Sequence, residues 1–294
     1  MTSYPNRKSA PKSLLGSFLH FLRSPDLQAS PDMISPKEKL IRILRLFSLK
    51  WVIIVLVFLV LDIVNAPSGE LVEDDFSISA ISLFFSAVVL APLLEELVFR
   101  LPLRPSVTAV AILYSLFIFW LSLWIAVYSS LLSAVLFVFV SFYIARTFIQ
   151  KDFLQAFYRQ HPYFLFYSST LVFGAVHVFN YEQASWKLLP LLVFSQTIGG
   201  LLLGFVRIRY GFWWAVFLHA FHNSFVCLPV FAYKAFGSIA LQRYALADGE
   251  EVAFSGVDNI VLYGVSVYEW MALLVSCVVV WGLVREWIKR DKVV

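Results

Sequence analysis

Cysteine and charged side chains are both scarce in this chain. Two of its 294 residues are cysteines, Cys227 and Cys277, and both lie in apolar runs. Two are too few for a disulfide or metal-binding framework, so we expect both to be small buried hydrophobic residues. Charged residues make up 14% of the chain, whereas soluble domains have roughly a quarter. The composition therefore argues against a soluble globular protein.

Several sequence patterns of known function are also missing. We find no glycine-rich phosphate loop, no zinc-knuckle spacing and no nucleic-acid-binding pattern. We therefore expect no cofactor and no nucleic-acid partner. No internal repeat has a convincing period, which counts against a transporter built from two related halves.

Hydrophobic residues, by contrast, make up 60% of the chain and aromatic residues 17%. Apolar runs long enough to cross a bilayer recur along most of it, which predicts an all-α, polytopic membrane protein. Spans and short loops leave no room for a separate soluble catalytic domain. The eight predicted spans cover about 48–66, 77–99, 105–126, 128–148, 162–181, 186–206, 211–233 and 259–284.

The residues before the first span divide into two parts. Residues 1–35 are rich in proline, serine and lysine, which predicts a largely disordered cytoplasmic tail before a membrane domain over residues 36–294. Within this tail, Ser13–Arg23 could lie on the membrane surface. Ser35-Pro36 is typical of a helix start, with serine as N-cap and proline in the first turn. The basic residues that follow, among them Lys50, indicate an interfacial helix on anionic lipid that leads into the first span.

The loops between the predicted spans alternate in charge. Lysine and arginine collect before the first span, after the second, fourth and sixth, and after the eighth, whereas the other loops are acidic or neutral. Because cytoplasmic loops carry the excess of basic residues, this pattern places both termini in the cytoplasm. It also favours eight spans over seven or nine.

Ionisable and amide side chains at membrane depth form three short clusters. Such groups cost roughly 3 kcal/mol each by insertion scales, so they usually have a function. Carboxylates, imidazoles and an amide are also groups that activate a water and stabilise an oxyanion. The clusters are Glu95-Glu96-Leu97-Val98-Phe99-Arg100, Phe173 with His177, and His219 with Asn223.

In each cluster, residues four apart lie on the same face of a helix. Glu96 and Arg100 are four residues apart in the favourable order and can pair, which leaves Glu95 without a local partner. His219 and Asn223 also share a face, and His222 could join it, so either histidine could be the functional one. A single membrane histidine is more often structural, and the helix-end ion pair alone would explain Glu96 and Arg100. The three clusters together favour a function.

The ordered motifs Glu-Glu-x-x-x-Arg, Phe-x-x-x-His and His-x-x-x-Asn, within residues 77–230, resemble those of the CPBP (Abi) family. This family includes the type II CAAX prenyl endopeptidases and bacteriocin-processing or immunity proteins. The resemblance implies a glutamate-dependent intramembrane endopeptidase whose substrate is a membrane-associated protein or peptide, lipidated or not. It also implies the site: Glu95 and His177 activate the water, Glu96 and Arg100 organise the site, and His219 with Asn223 hold the oxyanion.

The chain departs from the family pattern in one respect. The first two motifs lie on consecutive helices in typical members, whereas here the third and fourth spans intervene. Two added spans keep the directions of the motif helices. By the predicted boundaries Glu95 lies near the inner face and His177 beyond the midplane, so either the fifth span begins later or the second helix continues past Arg100.

We therefore expect a peptidase without an obligatory metal, although Glu95, His177 and His219 could in principle bind zinc. Two other functions stay open. The chain could be a non-catalytic scaffold or immunity-type member of the family, with a purely structural polar cluster. Buried glutamate and histidine also form the relays of proton-coupled transporters.

Overall fold

A computed structural model describes residues 13–63, 79–124, 131–180, 189–236 and 255–292. The regular structure of these residues is helical, which confirms the predicted all-α fold. The α-helices are α1 (Leu14–Arg23), α2 (Pro36–Ile63), α3 (Ala80–Leu83), α4 (Ala91–Phe99), α5 (Val107–Trp124), α6 (Leu131–Phe148), α7 (Lys151–Gln160), α8 (Pro162–Val176), α9 (Leu189–Leu192), α10 (Phe194–Arg209), α11 (Phe212–Phe236) and α12 (Gly256–Trp287). A π-helical segment, Phe84–Leu90, joins α3 to α4 without a break.

Long apolar helices make this an integral membrane protein. Among the described residues, four helical stretches are long and apolar enough to cross a bilayer, and Val107–Phe119 and Val135–Phe148 are shorter apolar helices. The four stretches are Ala80–Leu103, Pro162–Phe179, Phe212–Phe236 and Gly256–Asp291. A polytopic membrane fold follows, while the number of eight spans stays a prediction.

The first described segment corrects one expectation. Residues 14–23 form a helix whose N-cap is Ser13, with its hydroxyl accepting the Gly16 N–H at 3.0 Å. Its buried face packs edge-on against the bundle, Phe18 on Phe205 and Phe21 on Phe166, with ring centroids 5.3 and 5.0 Å apart. An apolar face with such partners is ordered by packing. The disorder predicted for residues 1–35 is therefore wrong for residues 13–35, and residues 1–12 lie outside the described part.

Hydrogen bonds tie this end of the bundle together. Tyr163 and Tyr167 on α8 donate to the carbonyls of Arg23 and Leu22 at the end of α1. On α7, the hydroxyl of Tyr158 donates to the Pro102 carbonyl, and burial raises the pKa of Tyr158 to about 12, so this donor keeps its proton at neutral pH. We call α1, α7 and the start of α8 the capping layer.

Glycines allow α8 and α10 to pack closely. A Cβ at Gly200 would lie 3.0 Å from Thr170 Cγ2, and a Cβ at Gly204 would lie 2.6 Å from Phe166 Cε2. Both glycines belong to the GxxxG pattern of the chain, which permits close approach of membrane helices. The α8–α10 pair thus forms the centre of the bundle, with α2, α4 and α11 around it.

Two of the helices between the first and second motifs, α5 and α6, lie apart from this centre. Helices α5 and α6 pack mainly on each other, and α5 meets the bundle at the 3₁₀ turn Leu101–Leu103. Many of their large apolar side chains are exposed. The insertion therefore leaves the packing of the motif helices undisturbed.

Candidate active site

The helix that carries the two glutamates changes register one turn before them. In the π-helical segment the Ala91 N–H bonds to the Ser86 carbonyl, five residues back. In this register the next carbonyl, that of Ala87, would take its hydrogen bond from residue 92. Residue 92 is Pro92, which has no N–H. The Ala87 carbonyl therefore needs a donor from outside its helix.

Two imidazoles converge on one carboxylate oxygen of Glu95. Oε2 of Glu95 lies 3.9 Å from His177 Nε2 and 3.8 Å from His219 Nε2. These distances are slightly too long for direct hydrogen bonds. This oxygen is buried and has no hydrogen-bond partner among the described residues, while the Glu95 side chain as a whole is 30% exposed. Glu95 is thus a carboxylate within reach of an external molecule.

Glu96 has different surroundings, although it is the next residue. It is fully buried, with Oε1 at 3.0 Å from His219 Nδ1 and 3.7 Å from Arg100 Nε. Because a carboxylate accepts, Nδ1 of His219 is the donor in this contact. Glu96 therefore orients the His219 ring so that Nε2 points at Glu95.

Arg100 packs against an aromatic ring, in a space that a glycine leaves open. Its guanidinium lies 3.8 Å from the centroid of the Phe173 ring, a favourable cation–π distance. Nη2 would be 3.4 Å from a Cβ at Gly200, so the missing side chain there makes room for it. The Arg100 carbonyl accepts a hydrogen bond from Arg207 Nε at 2.9 Å. Arg100 thus links α4 to the α8–α10 pair.

His177 lies at the end of α8, where the helix tightens into the 3₁₀ turn His177–Asn180. Its Nδ1 is 2.7 Å from the Phe173 carbonyl. Since a carbonyl only accepts, Nδ1 carries the hydrogen, and Nε2 of a neutral ring faces Glu95 as an acceptor.

The expected mismatch in depth is absent, because Ser169 donates to the Phe99 carbonyl at 2.6 Å and so sets the end of α4 level with the middle of α8. The first part of α8 belongs to the capping layer.

Asn223 reaches a different part of the first motif helix. Its Nδ2 donates to the Ala87 carbonyl at 2.7 Å, on the π-helical segment rather than on Glu95. His222 points elsewhere, towards Phe47 on α2, and its buried Nδ1 has no hydrogen-bond partner in the described part of the chain. The structure therefore brings Glu95 together with His177 and His219, and Glu96 together with His219 and Arg100. Asn223 lies at the side of this group.

Lys50 is a neighbour of the site that the sequence did not indicate. We expected it at the lipid interface, but its Nζ lies over α10, where a Cβ at Gly199 would be 2.8 Å away. Lys50 and His222 line the end of a cavity of about 560 Å³ between α2, α11 and α12. Both also line a smaller cavity next to His219. The interfacial role predicted for Lys50 is wrong because helix α2 is continuous and turns this side chain into the bundle.

Metal binding receives no support from side-chain clustering. Among the described residues, no group of three or more His, Cys, Asp and Glu side chains is arranged to hold a metal ion.

Comparison with known proteins gives one finding. Residues 131–225 match the family model described as Type II CAAX prenyl endopeptidase Rce1-like. The matched range contains His177, His219 and Asn223, whereas the Glu95-Glu96 motif precedes it. The resemblance inferred from the motifs is thereby confirmed over these residues, which are similar to a family of membrane peptidases. No curated protein and no solved structure matches the chain.

Proposed function

We propose that the protein is an intramembrane endopeptidase that hydrolyses a peptide bond of a membrane-associated protein. The observation that supports this most is the approach of two imidazoles to the partly exposed carboxylate of Glu95. The match of residues 131–225 to a peptidase family supports the same reaction.

The first step is activation of a water by Glu95 and His177. Glu95 Oε2 and the Nε2 of neutral His177 are both acceptors 3.9 Å apart, so a molecule that donates two hydrogens suits the space between them. A water bound there gives one hydrogen to each and directs its lone pair outwards. As its oxygen attacks the scissile carbonyl carbon, a proton passes to Glu95.

The second element is stabilisation of the oxyanion. In this proposal the His219 ring carries hydrogens on both nitrogens: Nδ1–H donates to the Glu96 carboxylate at 3.0 Å, and Nε2–H is left for the oxyanion. Asn223 has a second amide hydrogen beyond the one bound to Ala87. These two donors hold the negative oxygen of the tetrahedral intermediate. When the intermediate collapses, the C–N bond breaks and Glu95 returns its proton to the leaving amine.

The substrate binds from the membrane. The cavity of about 560 Å³ is lined mostly by apolar residues of α2, α11 and α12, with Lys50, His222 and Glu269 also in its lining. Such a cavity suits the apolar side chains of a membrane-associated peptide, or a lipid group attached to it.

Two other functions compete with this proposal. In a scaffold or immunity protein, Glu96, Arg100 and His219 would form a structural ion-pair network, but that role gives no reason for the partly exposed Glu95, whose Oε2 has no hydrogen-bond partner among the described residues. A proton-coupled transporter would use the same glutamate and histidines as a relay. Both alternatives predict that no protein is cleaved.

The proposal is tested by Glu95→Gln, which keeps the shape of the side chain and removes the base. We expect the variant to fold and to lose cleavage completely. Membrane proteomes from cells with wild-type protein and with the variant should differ in one uncleaved protein. Glu38→Gln, the same chemical change in a partly exposed pair with Arg42, is the matched control. If no protein differs between wild type and Glu95→Gln, the peptidase proposal fails.

A second experiment separates glutamate chemistry from metal chemistry. Because the proposed base and oxyanion donors are side chains of the chain itself, we expect activity to survive dialysis against a strong chelator. The measurement is the cleavage rate of the identified substrate before and after dialysis, with a zinc-dependent peptidase as the control. Loss of activity that zinc restores would make these residues metal ligands instead.

A further inference from the structure

The Ala87 carbonyl has lost its partner within the helix, and the cause is local. The π register directs this carbonyl to residue 92, and Pro92 has no N–H to give. A carbonyl left unpaired inside a membrane protein costs free energy. Asn223 on α11 supplies the donor, at 2.7 Å.

This contact also fixes which way the amide of Asn223 points. A carbonyl oxygen only accepts, so the atom that faces Ala87 must be the nitrogen Nδ2 and not Oδ1. The two hydrogens of Nδ2 are about 120° apart in the amide plane, so one stays free when the other is bound. A free side-chain amide would rotate or flip between two orientations, whereas this one has a single orientation.

We propose that the π-helical segment Phe84–Leu90 and Pro92 together form a positioning device for Asn223. They present the Ala87 carbonyl as a fixed acceptor, which holds the amide so that its second hydrogen faces the reacting carbonyl of the substrate. This inference rests on the proposed function, since the second hydrogen matters only in an enzyme that forms an oxyanion. π-helical turns recur at functional sites in proteins, and here the turn leaves the Ala87 carbonyl free to accept from Asn223.

Pro92→Ala tests the device without touching either partner. The new N–H can bond to the Ala87 carbonyl within the helix and so compete with the Asn223 amide. We expect kcat to fall about tenfold or more with KM unchanged, because the loss concerns a group that acts in the transition state. The measurement uses a peptide that spans the bond identified by comparing membrane proteomes of wild type and Glu95→Gln. The control is Pro36→Ala, which replaces an exposed proline in the first turn of α2, where a new N–H meets no carbonyl within the helix.

The double variant Pro92→Ala with Asn223→Ala distinguishes two explanations of a lower kcat: loss of the Asn223 orientation, and a general loosening of the helix. If Pro92 acts through Asn223, Pro92→Ala should have no further effect on kcat in an Asn223→Ala background. Additive effects on kcat would overturn the proposal, as would an unchanged kcat in Pro92→Ala alone.

Thermal stability of the same variants keeps this inference distinct from the proposed function. The two substitutions should show non-additive effects on stability, because the new N–H replaces the donor that Asn223→Ala removes. Additive stabilities would show that the contact is absent and overturn the inference even in an active enzyme. An inactive wild type with non-additive stabilities would overturn the peptidase proposal, and with it the positioning role, while leaving the contact itself in place.

Discussion

Glu95 and Glu96 are neighbours in sequence with opposite surroundings, because successive residues on a helix point about 100° apart. Glu96 faces α11 and the interior, where His219 and Arg100 surround it, and its side chain is fully buried. Glu95 faces His177 at the end of α8 and His219 on α11, and keeps 30% of its side chain exposed. One carboxylate is therefore placed for structure and the other for contact with a substrate or water.

This difference leads to a prediction at the residue scale. Glu96→Gln should destabilise the protein by about 3 kcal/mol or more, because it leaves the buried charge of Arg100 without its partner. Glu95→Gln should leave the stability nearly unchanged. The measurement is thermal unfolding of both variants in the same detergent, with equal stabilities of the two as the outcome that contradicts the prediction.

Side-chain spacing along the chain was enough to predict much of the site. The four-residue intervals in the motifs gave the Glu96–Arg100 pair, and an unpaired Glu95 pointed to partners on later helices. The Ala87 carbonyl was not predictable, since a register change depends on the packing of the whole helix. Lys50 was missed because its basic neighbours suggested a lipid headgroup contact, whereas Gly199 provides space for its ammonium group inside the bundle.

At the scale of elements, the site depends on how closely α8 and α10 approach. These helices hold the Phe173 ring, and through it Arg100, at a fixed distance from the glutamates. The face of α10 that packs on α8 is formed by glycines, with Gly204 against Phe166 and Gly200 against Thr170. The GxxxG pattern of Gly200 and Gly204 therefore forms a packing surface against α8, although the pattern alone does not say which helix packs there.

Gly204→Ala should therefore force the two helices apart. A Cβ would lie 2.6 Å from the Phe166 ring, and overpacking of this kind typically costs about 1–3 kcal/mol. Gly264→Ala in α12 is the matched control, since nothing lies within 4 Å of a Cβ there. Thermal unfolding should show a loss for Gly204→Ala and none for the control. Equal effects would mean that close packing at Gly204 is not needed.

The sequence predicted where a helix begins better than it predicted what a helix packs against. Ser35 accepts the Glu38 N–H at 3.2 Å and Pro36 begins α2, as the Ser-Pro pair predicted. Helix α1 was expected to be disordered because its flanking residues are polar and rich in proline. Its order comes from burial of Phe18 and Phe21 against aromatic rings far along the chain, and composition cannot reveal such a partner.

At the scale of the whole molecule, ion pairs collect at one end of the bundle. Arg45 near the start of α2 pairs with Glu286 near the end of α12, at 2.6 Å. Arg209 at the end of α10 pairs with Asp32, at 2.7 Å. The start of α2 and the ends of α10 and α12 thus share one end of the bundle, and the charge pattern of the chain predicts that this end is cytoplasmic.

This shared end supports a final prediction about topology. The eight-span prediction places every second connection on the same side and has the α5–α6 pair cross the membrane twice, which would preserve that alternation. Reporter fusions after Asp75 and after Gly249 should therefore report the outside, and fusions after Lys151 and after Val294 the cytoplasm. A fusion after Lys151 that reports the outside would show that α5 and α6 do not both cross, and the motif helices would then lose their antiparallel arrangement. A fusion after Val294 on the outside would break the model at α12, and the ion pair between Arg45 and Glu286 could not then form.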